Sequence, residues 1–145
     1  MLVRGGKLVI PYREFEGLSF PTSRRSVVFY RPVIPVILFY GKRLVQMAAL
    51  LDTGADYNIF HGDVAAYLGI NLTAGSRRNI VGIGGKVKGY QHQVRIKINS
   101  FEYKAPIIFS NKVPENTLAV LGNKGFFDRF VVKFDYRQKV VEISR

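Results

Sequence analysis

The sequence predicts an all-β protein. Three observations support that reading: the apolar residues fall in short β-branched and aromatic runs, turn-forming residues separate those runs, and helical periodicity is confined to brief stretches. With 145 residues, 48% hydrophobic content, 14 Gly and 6 Pro, the chain is most naturally a single domain of ordinary globular composition. A chain of this size can bury roughly 68–70% of its unfolded surface, enough to fold without a metal or disulfide.

The first 31 residues are broken by Gly5-Gly6, Pro11, Gly17 and Pro21, leaving candidate strands at 8–10 and 27–30. They read as an extension, a dimer-forming arm or a removable segment preceding a domain over 32–145. From Val33 the pattern sharpens. Residues 33–40 and 44–51 form two strands around a tight turn at Gly41-Lys42-Arg43. Asp52-Thr53-Gly54-Ala55-Asp56 interrupts the strand, which resumes over 57–60. Residues 62–68 suit a short helix rich in Ala and Leu, stopped by Gly69. Residues 79–83 and 87–98 flank the cluster Gly82-Ile83-Gly84-Gly85, a hairpin tip. A strand over 101–109 pairs back after Asn99-Ser100, with Pro106 predicting an edge position. Residues 118–121 form a further strand, 124–129 a second short helix, and 130–134 with 139–143 a closing hairpin.

Cysteine is absent, which excludes disulfide frameworks, thiolate nucleophiles and Cys-ligated zinc. His61 and His92 are too few and too far apart to suggest a metal site, and no metal or cofactor is expected. Ser19, Ser23 and Ser26 have no neighbouring base or nucleophile elbow, which leaves serine hydrolysis unsupported. Gly85-Lys86 lacks both the spacing and the hydroxyl residue of a phosphate loop. The longest apolar stretch, 33–40, contains Pro35 and is far too short to span a membrane. With no signal peptide at the N-terminus, the expected location is cytoplasmic, as a free protein or part of a longer precursor. The charge is the outlier: 22 Lys+Arg against 10 Asp+Glu, net +12. The cations are scattered in short doublets, so a solvated basic face is favoured over a nucleic-acid partner.

The decisive segment is Leu50-Leu51-Asp52-Thr53-Gly54-Ala55-Asp56. An apolar strand delivers a carboxylate to its end, followed by a small hydroxyl residue and a glycine. Gly54 lets the backbone approach closely, as a rigidly held catalytic carboxylate requires. With the Gly82–Gly85 cluster and Ala119-Val120-Leu121-Gly122 following in order, the chain resembles the retropepsins, the single-domain aspartic peptidases of retroviruses and their cellular and bacterial relatives. The resemblance covers about residues 32–145.

It implies an acid-protease closed barrel, one lobe per chain, with one or two short helices. It also implies that the second catalytic aspartate comes from a twin chain, making a C2 homodimer in which two Asp52 carboxylates share one proton. Water activated between them would cut an extended polypeptide. Under the resemblance Asp52 is catalytic, and Thr53 and Gly54 brace it. Ala55 and Asp56 bind substrate backbone. Gly82, Ile83, Gly84 and Gly85 form a substrate-covering flap, and Val120 and Leu121 line the floor. The sequence departs from viral members after Gly122, where Asn123 and Lys124 stand in place of the usual Arg that pairs with the second acid. A free-standing cellular or bacterial relative is therefore favoured. Two other readings stay open: a dimeric peptide-binding module that lost turnover, and a basic nucleic-acid-associated protein.

Overall fold

The computed structural model describes residues 1–18, 26–82 and 84–145. Ser19 and Ser23, and Ile83, which the resemblance puts in the flap, lie outside the described residues. Strands dominate, and the chain divides into two compact units, Met1–Ile34 with Phe130–Arg145, and Pro35–Arg129.

In the first unit, β1 (Leu2–Arg4) and β2 (Lys7–Pro11) form a hairpin around Gly5 and Gly6. Both glycines have positive φ, 54° and 76°, which a side chain would oppose. β2 pairs antiparallel with β13 (Val140–Ser144), which pairs with β12 (Val131–Asp135), giving a four-stranded sheet in the order β1-β2-β13-β12. The register sets Ile10 against Val141 and Leu8 against Ile143, so all four fall on one buried face. β3 (Arg13–Leu18) and β4 (Ser26–Arg31) form a separate hairpin. The sequence anticipated parts of β2 and β4 but not β1 or β3. In the β12–β13 turn, Asp135 Oδ1 accepts the Gln138 N–H at 3.0 Å. Burial, with the nearby Asp135 carboxylate and Tyr136, raises the Tyr12 hydroxyl above its ordinary 10.0.

The second unit is a closed barrel. β5 (Val33–Tyr40) enters it, β6 (Arg43–Leu51) and β7 (Asn58–His61) follow, and α1 (Gly62–Leu68) leads to a 3-10 turn at Leu72–Ala74. β8 (Ser76–Gly82), β9 (Gly85–Ile98), β10 (Phe101–Ser110) and β11 (Ala119–Leu121) complete it. The strands run in the order β10-β7-β11-β6-β5-β9, and β9 pairs again with β10, which closes the ring. β8 hangs outside it, bonded to β9. Alternation puts Leu38 opposite Ile96, and Val94 opposite Ala105, all fully buried, while Arg95 and Lys97 point outward.

The helix runs from Gly62 to Leu68, as its composition predicted, and Gly69 closes it in a left-handed conformation with φ 78°. The second expected helix, 124–129, is absent. Gly125 adopts φ +99°, outside the helical range, and its N–H bonds the Asp128 carboxylate at 3.0 Å, so this stretch is a series of turns. β10 also differs from the edge strand that Pro106 suggested, because it bonds both β9 and β7. The β7 pairing begins only at Ile107, so the imino nitrogen of Pro106 breaks no ladder bond on that side. Among the described residues no helix is long and apolar enough to cross a membrane.

Candidate active site

β6 and β11 lie parallel, with Leu51 opposite Leu121, and the ladder extends one step further as the Asp52 N–H donates to the Leu121 carbonyl at 3.0 Å. Asp52 is therefore anchored by a buried strand on a neighbouring part of the chain. A tight turn follows, with the Ala55 N–H on the Asp52 carbonyl at 3.1 Å. Within it, the Gly54 N–H donates to Asp52 Oδ1 at 2.9 Å and fixes the carboxylate's orientation. A β-carbon at position 54 would stand 3.2 Å from that oxygen, tighter than most such contacts. Thr53 is exposed in the same turn.

The segment after β11 runs beside this loop. The Asn123 N–H reaches the Ala55 carbonyl and the Lys124 N–H the Asp56 carbonyl, both at 2.8 Å. Gly122 makes the passage possible, since a β-carbon there would lie 2.5 Å from the carbonyl oxygens of both Ala55 and Tyr57. The Gly122 N–H donates to Asn58 Oδ1 at 3.0 Å, and Asn58 Nδ2 donates to the Pro106 carbonyl at 3.2 Å. Asn58 is wholly buried, and its amide joins three separate strands beneath the aspartate loop. Directly after Gly122, Asn123 and Lys124 thus meet the loop through backbone bonds. Among the described residues the Asp56 side chain makes no ion pair.

Asp52 opens into a cleft of about 420 Å³. Its near side is Asp52, Gly54, Ala55 and Asp56, with Tyr57, Ile59 and Val120 along the wall. Its far side is the arm Asn79-Ile80-Val81-Gly82 of the β8–β9 hairpin. Gly85 sits opposite Gly82 with φ 112°, and Gly84 lies in the intervening turn. Of the residues expected from the sequence, Asp52, Gly54, Ala55, Asp56, Gly82 and Val120 thus share one cleft. Leu121 is fully buried and meets Asp52 through its carbonyl rather than the cleft wall.

Sequence reasoning missed Tyr57, Ile59 and the arm residues Asn79, Ile80 and Val81. The hairpin's alternation held a usable signal: Ile80 pairs with Val87, and both are half-buried between exposed neighbours. Asn58 carried no sequence signal, because nothing local marks a buried amide.

The histidines serve elsewhere. His61 Nδ1 accepts the Asp63 N–H at 3.0 Å and caps α1, while His92 Nε2 donates to the Leu72 carbonyl at 2.8 Å. His61, Asp63 and Glu115 bring donor atoms within 4.8 Å of one another, but the Nδ1 lone pair of His61 is committed to the cap.

The aspartyl protease family model matches residues 38–123, more than half of the chain and inclusive of the whole cleft. Among solved structures, the chain is similar to a retropepsin-like aspartic protease from Rickettsia conorii, at 18% identity and a TM-score of 0.62 over 96% of this chain and 99% of that one. It is also similar to the EIAV protease complexed with the inhibitor HBY-793, at 22% identity and a TM-score of 0.50 over 72% and 88% of the two chains. No curated protein matches it in sequence. A closed barrel of the retropepsin type, with an aspartate turn held at its rim by the segment after β11, accords with that match, and the chain belongs to the aspartyl protease family.

Proposed function

We propose that this protein is an aspartic endopeptidase that works as a homodimer on extended polypeptides. The observation that carries the reading is the setting of Asp52: a carboxylate oriented by the Gly54 N–H, at the rim of a cleft faced by a glycine-tipped hairpin. One chain supplies one such carboxylate. Two copies related by a twofold axis bring two together, and the pair holds a single proton, since two adjacent negative charges repel strongly. The ionised Asp52 takes a proton from a water molecule as the water oxygen attacks the scissile carbonyl carbon. The protonated Asp52 gives its proton to the carbonyl oxygen. A neutral tetrahedral diol results, and its collapse with proton transfer to the amine breaks the C–N bond.

In this reading Thr53 and Gly54 brace the loop, and Ala55 and Asp56 offer polar groups to the substrate backbone. Gly82, Ile83, Gly84 and Gly85 form the mobile cover, with Val120 and Leu121 supporting the floor. The glycines permit the turn and its opening. Residues 32–145 carry the peptidase fold, and residues 1–31 are an extension or arm, although β2 of that segment pairs with β13 near the end of the fold. The chemistry requires no metal or cofactor.

The test is digestion of a peptide library by wild type and by Asp52→Asn, alongside a solution mass. The expected result is a dimer in both and a loss of cleavage of about 10²–10⁴-fold in the variant. Cleavage retained by Asp52→Asn, or peptide hydrolysis by a strict monomer, refutes the mechanism. A dimer that binds peptides and never cuts them supports a silent binding module instead.

A further inference from the structure

The hairpin facing Asp52 has an unbalanced charge. Between Ser76 and Ile98 the sequence holds Arg77, Arg78, Lys86, Lys88, Arg95 and Lys97, and no acid. Arg95 is matched by Glu102 at 3.2 Å. The four cations nearest the hairpin tip make no ion pair among the described residues.

Register sorts these four by face. Arg77, Lys86 and Lys88 share one face with the exposed Asn79 and Val81. Arg78 lies on the other, in line with Ile80 and Val87, whose half-burial marks the inward face; the cleft touches Ile80 on this face and Asn79 and Val81 on the exposed one. Arg78 lies just beyond the cleft lining, two residues from Ile80 and thus about 7 Å further along the strand toward the hairpin's root. Its Nε donates to Gln91 Oε1 at 2.9 Å, so the guanidinium is already oriented, and among the described residues its terminal nitrogens make no ion pair. A planar fork held in this way suits a carboxylate.

The floor of the cleft has the opposite sign, with Asp52 and Asp56. An acidic side chain directly over Asp52 meets repulsion, and one displaced along the strand meets Arg78. We propose that Arg78 is a specificity-determining residue, and that this site prefers acidic polypeptides with Asp or Glu about two positions from the scissile bond. The proposal rests on the peptidase reading above. In a symmetric dimer each hairpin contributes one Arg78, so the preference falls on both sides of the cut. Arg77, Lys86 and Lys88 add a positive field that draws such segments in and weakens with salt.

The test takes a peptide core cleaved by wild type and places Glu, Gln or Lys at each flanking position. Wild type is expected to favour Glu over Gln by about fivefold in kcat/KM at low ionic strength, with the ratio falling as salt is added. Arg78→Lys should keep the preference, Arg78→Gln should bring the ratio near one, and Arg78→Glu should prefer the Lys peptide. A purely structural role for Arg78 predicts no such inversion. Equal rates for the Glu and Gln peptides in wild type, or a preference that survives Arg78→Gln, overturn the inference.

A parallel arm measures binding of the same Glu and Lys peptides to Asp52→Asn by fluorescence anisotropy, which needs no turnover. If wild type cuts nothing, the peptidase reading fails, and this arm still decides the charge preference. Tighter binding of the Glu peptide, lost in the Asp52→Asn/Arg78→Gln double variant, supports it. Equal binding of the two peptides overturns it.

Discussion

Asn58 shows how a single buried amide can hold the aspartate loop in place. Its oxygen satisfies the buried Gly122 N–H, and its nitrogen satisfies the part-buried Pro106 carbonyl. Removing it leaves a buried backbone donor and a part-buried backbone acceptor without their partner and opens a small void. Asn58→Ala should cost about 2–4 kcal/mol in a denaturant titration. Because Gly122 directly follows Leu121, whose carbonyl anchors Asp52, the proposed cleavage should weaken along with stability. A change below about 0.5 kcal/mol would show that the amide is dispensable. Asp52 and its glycine were readable from the sequence because their chemistry is local: a strand end, a carboxylate, a close-approach residue. Asn58 was not, since its partners lie 64 and 48 positions away.

At the scale of elements, the β8–β9 hairpin is gripped at its root and open at its tip. Gly89 packs against β10, where a β-carbon would collide with Ile108 Cγ2 and lie 3.0 Å from the Phe109 carbonyl. Ser110 adds a hydrogen bond from its hydroxyl to the Lys88 carbonyl. A β-carbon at Gly82 has nothing within 4 Å. Gly89→Ala should therefore destabilise by about 1–3 kcal/mol, and Gly82→Ala by no more than about 0.5 kcal/mol. Thermal unfolding of the two variants side by side checks the contrast, and equal losses would contradict the grip at the root.

Strand periods and glycine clusters were legible in this region because two-residue alternation survives in a half-buried ribbon. The helix expected over 124–129 failed for a physical reason. Only Lys124 and Arg129 are strong helix formers, while Gly125, Phe126, Phe127 and Asp128 are weak ones. Gly125 also passes close to Asn58, Ala105 and Pro106, and packing against distant strands adds to that weak propensity in turning the chain.

For the whole molecule, the proposed dimer has a thermodynamic signature. If folding is coupled to association, mass action makes the melting temperature rise with protein concentration. Dilution of wild type over about two orders of magnitude should lower the midpoint and the specific activity together, checked by scanning calorimetry and by assay. A midpoint and activity both independent of concentration would argue against an active site shared between chains. The all-β class and the barrel could be expected from the sequence. The sheet joining β2 to β13 could not, since no local pattern announces that residues 7–11 pair with residues near the far end of the chain.

The parallel seam between β6 and β11 has a temporal corollary. A growing polypeptide displays Asp52 long before it reaches Gly122, and until then that acid lacks its carbonyl anchor, its amide brace and the backbone running alongside. On the peptidase reading, hydrolytic competence is thereby deferred until most of the barrel has been synthesised, so an unfinished copy carries the reagent without the vessel.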